Sequence, residues 1–303
     1  MVKFLARRLI ALVAVVVMVT VVTWISIHGL RPEAFAFDQR PTLEQLADYL
    51  VQAFLHFELG NSWENNQPPV AGMLREGLPA DLLLLAGGMA FGLLFGMTAG
   101  AYVGSRPRAR RSRAIESVSM VFLCAPVYVV GLSLLLLFGA GIAVTGIGFI
   151  PLKYVPFEES PVRWLGSMIV PWIVVGLPLA AVCERMMNSS MREVLHEEFI
   201  RTALSKGISN RRMLRRHAVP AAAAPVLTLA GVSVPVMVTN MVLVELTFSI
   251  PGVFQSFRSS MDNEDYPMIM GIVISAAVLV ALGSLLVDLA LAWLDPKTRT
   301  SAA

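Results

Sequence analysis

The sequence is poor in the groups that carry covalent chemistry. Only two cysteines occur, Cys124 and Cys183, each inside an apolar stretch. That excludes a disulfide framework and a paired-cysteine metal motif, and fits small buried apolar side chains. The 4 histidines, at 28, 56, 196 and 217, are too scattered to suggest a metal site. His196-Glu197-Glu198-Phe199-Ile200 begins like a zinc-protease helix, but Ile200 stands where the second histidine is needed. No Gly-x-x-x-x-Gly-Lys-Ser/Thr run occurs, which excludes that phosphate-binding loop. No Gly-x-Ser-x-Gly elbow presents a nucleophile. These absences argue against an enzyme, and no cofactor is expected on this chain. Charge is scarce as well: 15% of residues are Asp, Glu, Lys or Arg, against roughly a quarter in a soluble domain. The net charge of +3 gives no reason to invoke nucleic acid.

What the chain has is apolar length. Hydrophobic residues make up 56% of it, and the mean hydropathy is +0.69. Stretches near 9–28, 80–103, 116–140, 165–184, 221–247 and 268–294 reach the length a bilayer core requires. The expected fold is therefore all-α, a bundle of six transmembrane helices in contact with membrane lipid. Met1–Arg8 followed by an apolar run resembles a signal peptide. The run from Leu9 to Ile27 is long enough to span, and no small-residue cleavage site follows, so it reads as a retained first span. An even number of spans puts both termini on one side. Eighteen of the 24 Lys and Arg fall on that side, in the N-terminal tail, in 106–113, in 185–216 and near the C-terminus. The positive-inside rule makes that side cytoplasmic.

The fourth connection does not read as a spacer. Leu195, Phe199, Thr202, Ala203 and Lys206 recur at helical spacing and share a face. Glu197 stands four residues before Arg201, the favourable order for a helical ion pair. Gly207 is placed to stop the helix in the left-handed conformation. Ser209 is placed to cap a second, basic helix through Arg211, Arg212, Arg215 and Arg216, with Pro220 opening the next apolar run. A helix, a glycine corner and a basic helix at a membrane surface form a rigid knob for another protein. A solvated amphipathic loop is the plainer alternative.

Here a family resemblance becomes specific. Arg201-Thr202-Ala203, then Gly207, then His217-Ala218-Val219-Pro220 resembles the EAA loop of bacterial ABC-importer permeases. The wording Arg-Thr-Ala-x-x-Lys-Gly, with Arg211-Arg212 and Arg216-His217-Ala218 following, is similar to the dipeptide/oligopeptide/nickel subfamily. The resemblance implies that this loop is a coupling helix docking on a separate ATPase. The residues it assigns to that contact are Leu195, Glu198, Phe199, Arg201, Thr202, Ala203, Lys206 and Gly207. It further implies a second homologous permease subunit, two ABC ATPase subunits that bind ATP and Mg, and an extracytoplasmic substrate-binding protein. Localisation would be the bacterial inner membrane with both termini cytoplasmic, and the cargo peptides or similar small solutes. The division becomes a tail and first span (1–28), an external loop (29–79) and a permease core (80–303) with its coupling loop at 185–220. A secondary transporter or channel working without ATP is the alternative. It would need inverted repeats or paired mid-membrane charges, and the sequence shows neither.

Other stretches share the resemblance. Glu245-x-x-Phe248-Ser249-x-Pro251-Gly252 looks like the family's motif at the outer end of the fifth span, and Leu294-Asp295-Pro296-Lys297-Thr298-Arg299 like its C-terminal signature. Pro235, Asn240 and Glu245 are pathway or gate candidates. A structural kink at Pro235 and a locally capped turn at Glu245 are the alternatives. Asp288 reads as a structural ion-pair or hydrogen-bond residue. The Pro-Gly-Asp-Pro that commonly follows the first span is replaced by Gly29-Leu30-Arg31-Pro32-Glu33. In the external loop, Thr42 and Gln45 read as a capping box. The Asp262–Asp265 acids read as either a binding-protein contact or a solvated loop. Gly88, Gly92, Gly96, Gly100 and Gly104, one every four residues, form a groove for a second helix of this chain or of another subunit.

Overall fold

The computed structural model describes residues 2–32, 40–64, 68–151 and 153–294. Among them, regular structure is helical. α1 (Val2–Leu30), α3 (Val70–Ser105), α6 (Pro161–Val194), α9 (Val219–Phe248) and α11 (Tyr266–Leu294) are the long helices. Shorter ones are α2 (Thr42–Val51), α4 (Arg110–Cys124), α5 (Val127–Phe138), α7 (Glu198–Ser205), α8 (Asn210–Met213) and α10 (Phe257–Asp262). Five helices, counting α9 with α8 and the turn between them, are long and apolar enough to cross a membrane. The sixth crossing expected over 116–140 is not a single helix. α4 and α5 meet at a bend of 107°. Proline disfavours the helical conformation in the residue before it, and Ala125 before Pro126 is extended, with ψ 130°. The second span also starts earlier than its hydropathy indicates. α3 begins at Val70, and Pro79 lies inside it.

The chain divides into two compact units. The described residues of 1–83 and 250–282 form one, those of 84–249 and 283–294 the other. In the first, buried carboxylates tie distant segments together. Asp265 is fully buried and accepts from the Ser62 hydroxyl. Its other oxygen accepts the Met268 N–H at 3.2 Å, closing the first turn of α11. Asp81, also fully buried, accepts the Val253 N–H at 3.2 Å. Arg31 donates to Glu264 at 2.7 Å, and Asn263 to Glu64 at 3.1 Å. The 262–265 stretch is thus tied to Arg31, Ser62 and Glu64 in the connection before α3 rather than left wholly to solvent. Asp265→Ala would leave a buried hydroxyl and a buried N–H without their acceptor, at about 1–3 kcal/mol each. We expect faster hydrogen exchange at 60–64 and 265–269 with the rest of the chain unchanged.

The capping box at Thr42 does not form. Thr42 is the first helical residue, Pro41 occupies the cap position without a side-chain bond, and Gln45 donates to the Arg40 carbonyl at 2.8 Å.

The second unit is packed around α6. Ser160 caps this helix by accepting the Arg163 N–H, and Pro161 opens it, where its missing N–H costs nothing. The glycine groove of α3 lies along α6. A Cβ placed on Gly92 would come within 2.7 Å of Leu179. On Gly96 it would meet the Ala180 carbonyl oxygen at 2.5 Å and Cys183 Cβ at 2.6 Å, and on Gly104 Met191 Cβ at 2.7 Å. The partner of the groove is therefore a helix of this same chain. Val174, Val175, Leu179, Met187 and Met191 of α6 and Val226, Met237, Met241 and Val244 of α9 fill the core of the unit. Methionine suits it, because an unbranched thioether adapts to irregular gaps.

Candidate functional site

The 195–220 connection is a short helix held by one face. α6 ends at Val194, Leu195 is half-buried, and Glu197 leaves the helical region with ψ 148°. α7 then runs for 8 residues. Ile200, only 2% exposed, and Ala203 anchor it inward. Phe199, 46% exposed, and Leu204 stand outward, as do Glu198, Arg201, Thr202 and Lys206. The shared face expected from the sequence thus divides: Ala203 packs into the chain itself, whereas Phe199, Thr202 and Lys206 are presented. Thr202 and Ser205 fold their hydroxyls onto the Glu198 and Arg201 carbonyls, at 3.0 and 2.9 Å.

The corner after α7 is a Schellman cap. Gly207 has φ +78°. Its N–H donates to Leu204 at 2.9 Å, and the Ile208 N–H reaches back to Ala203 at 3.3 Å. Those two bonds satisfy carbonyls that the helix end would otherwise leave open. Nothing lies within 4 Å of a Cβ built on Gly207. Backbone conformation, not space, is what demands glycine here.

Three local expectations are corrected. Glu197 and Arg201 form no ion pair among the described residues, because Glu197 occupies the extended cap position rather than the helix. Ser209 stands at the cap of α8, but its hydroxyl makes no cap bond. Nor is the basic stretch a separate helix. α8 is four residues long and passes through a π-helical turn, Leu214–Ala218, directly into α9. Pro220 falls in the first turn of α9 and so does not interrupt it.

The pathway candidates do not share a surface. Along α9, Pro235 is exposed, Asn240 half-buried and Glu245 fully buried. Successive candidates are five residues apart, which turns each about 140° from the last. The Glu245 carbonyl accepts the N–H of Ser249, which ends the helix in the left-handed region at φ 52°. Asp288 is half-buried in α11, and the 295–299 signature lies outside the described residues.

Two further buried carboxylates carry a signal that the sequence offers. Asp81 and Glu184 are each at most 1% exposed, within or at the edge of apolar runs. The criterion that singled out Glu245 and Asp288, a carboxylate in a spanning segment, applies to both. Asp265 stands out in the sequence only as one of the 262–265 acids, and nothing there pairs it with Ser62, 203 positions away.

Comparison with known proteins agrees with this architecture. The family described as the binding-protein-dependent transport system inner membrane component matches residues 92–300. A protein of Sinorhizobium fredii named as a probable peptide ABC transporter permease is 32% identical, over 72% of this chain and 66% of its own. The oligopeptide transport system permease protein of Salmonella typhimurium is 28% identical, over 86% of this chain and 81% of its own. The dipeptide transport system permease protein of Bacillus subtilis is 26% identical, over 99% and 98%. With its apolar helices and a family match across most of its length, the chain belongs to the binding-protein-dependent transport system inner membrane components, and is a multi-pass membrane protein.

Proposed function

We propose that this chain is one of two permease subunits of an ABC importer for peptides or related small solutes, and that α7 is its coupling helix. The observation that carries the reading is the construction of α7. It is clamped from inside by Ile200 and Ala203, locked at its end by the Gly207 cap, and open on the Phe199 side. A helix fixed on one face can transmit a push without bending. The excess of Lys and Arg on the same side supports a cytoplasmic position for α7 and for both termini. ATP and Mg would be held by two ATPase subunits beneath this side. A binding protein would deliver cargo to the other. Peptide cargo is supported by what the relatives are named for. Residues 80–303 would form the transport core, with the exposed side of α9 facing either the pathway or the second permease.

The cap supplies the test. Valine is β-branched and resists positive φ, whereas asparagine visits that region. Gly207→Val should reduce ATP-driven uptake in vesicles at least tenfold, with the chain still present in the membrane. Gly207→Asn should retain most of it. Equal uptake by the valine variant and the wild type would remove the rigid-handle reading.

A further inference from the structure

A second polar cluster lies just before the coupling segment, on α4 and α6. Asn188 donates from Nδ2 to Glu116 Oε1 at 2.9 Å. Arg192 donates from Nε to Asn188 Oδ1 at 2.9 Å. Arg192 Nη2 also reaches Glu116 Oε1 at 3.4 Å. The three side chains close a ring in which Asn188 uses both ends of its amide. Glu184, one turn earlier on α6, lines the same cleft of about 740 Å³ with Glu116, Met120, Asn188 and Arg192. The Glu116–Arg192 pair alone is half-exposed and of the kind that contributes little. Bridging by Asn188 changes that, because it fixes the register of two helices as well as their distance.

The position of the ring gives it a use. Arg192 is two residues from the end of α6, and its carbonyl lies 2.6 Å from His196 Nδ1, in the link to α7. At the other side of the ring, Glu116 lies nine residues before the Ala125–Pro126 corner, about 14 Å along α4. α4 is the arm of a broken span, bent by 107° from α5. A span broken at proline does not carry a push along its own axis, so α4 needs a separate attachment to whatever moves.

We propose that Glu116, Asn188 and Arg192 are positioning residues that clasp α4 to the end of α6, so that displacement of α7 drives both helices together and swings α5 about Pro126. This inference rests on the coupling reading of α7. It assigns a second point of transmission, away from the ATPase contact. The clasp stays closed as the helices move.

The complete transporter, reconstituted in vesicles, tests this through the ratio of solute taken up to ATP hydrolysed. Glu116→Gln and Arg192→Met should each lower that ratio about three- to tenfold while hydrolysis continues. The exchange Glu116→Arg with Arg192→Glu should recover at least half of the wild-type ratio. In a Cys124→Ser background, Glu116→Cys and Arg192→Cys joined by a short bis-maleimide should transport better than the same variant unjoined. An unchanged ratio in both single variants would overturn the proposal, as would loss of uptake on joining. Gly207→Val in the same vesicles separates the two failures: if it blocks uptake while the clasp variants couple normally, the clasp is wrong and the handle stands.

Discussion

Phe199→Asp should release the ATPase subunits from the complex, whereas Ile200→Asp, one residue later, should remove the chain itself. The two residues stand about 100° apart around α7, Phe199 at the exposed edge of its apolar arc and Ile200 within it. Phe199 is 46% exposed and is the largest apolar side chain α7 presents; Ile200 is 2% exposed. An apolar anchor at the centre of an interface is typically worth about 2–4 kcal/mol when removed, and a carboxylate in its place adds a desolvation cost. Retention of ATPase on the purified permease should fall roughly 30- to 1,000-fold, and uptake with it, at unaltered membrane levels of the chain. Ile200→Asp instead buries an unpaired charge inside the chain's own packing. The handle should detach from the body, and the amount of intact chain should drop before any coupling is measured. Copurification of ATPase, normalised to permease, distinguishes the outcomes. Equal retention by Phe199→Asp and wild type would mean that α7 docks by its charged residues or not at all.

That contrast also marks the limit of what the sequence discloses. The helix at 198–205 and the glycine corner were legible because both are local. One turn of periodicity and one residue tolerant of positive φ suffice. Which face turns inward was not. Phe199, Ala203, Ile200 and Leu204 fall within one arc of about 140°, and in two turns of helix nothing marks Ile200 and Ala203, at its middle, as the pair that packs inward and Phe199 and Leu204, at its edges, as the pair left exposed. The break at Pro126 was visible as a proline but not as a 107° corner. Hydropathy averaged over 116–140 blends the polar α4 with the apolar α5 into one passable span. Asp265 is indistinguishable in sequence from its acidic neighbours because its partner, Ser62, lies 203 positions away. The glycine groove fared differently. Its spacing announced close packing, and only the choice of partner needed the fold.

Gly96→Leu is the substitution on that groove with the largest expected effect. Leucine in place of an exposed helical glycine normally improves a helix, since glycine is the poorer helix former by close to 1 kcal/mol. Here the sign reverses. The first carbon of the new side chain would already lie 2.5 Å from the Ala180 carbonyl oxygen and 2.6 Å from Cys183 Cβ. A carbonyl within α6 cannot swing aside as a side-chain tip can, so the helices must part. Parting them strips contacts from Gly92 and Gly104 as well, because the groove meets α6 over four turns. The cost should exceed the about 1–3 kcal/mol usual for overpacking, and chain recovered intact in mild detergent should fall below a tenth of wild type. Gly96→Ala should be intermediate, because its single carbon meets the same oxygen without the bulk beyond. Gly166→Leu provides the control, since nothing lies within 4 Å of the Cβ position there. If Gly96→Leu and Gly166→Leu were recovered in equal amounts, the close approach of α3 to α6 would not be what holds this unit together.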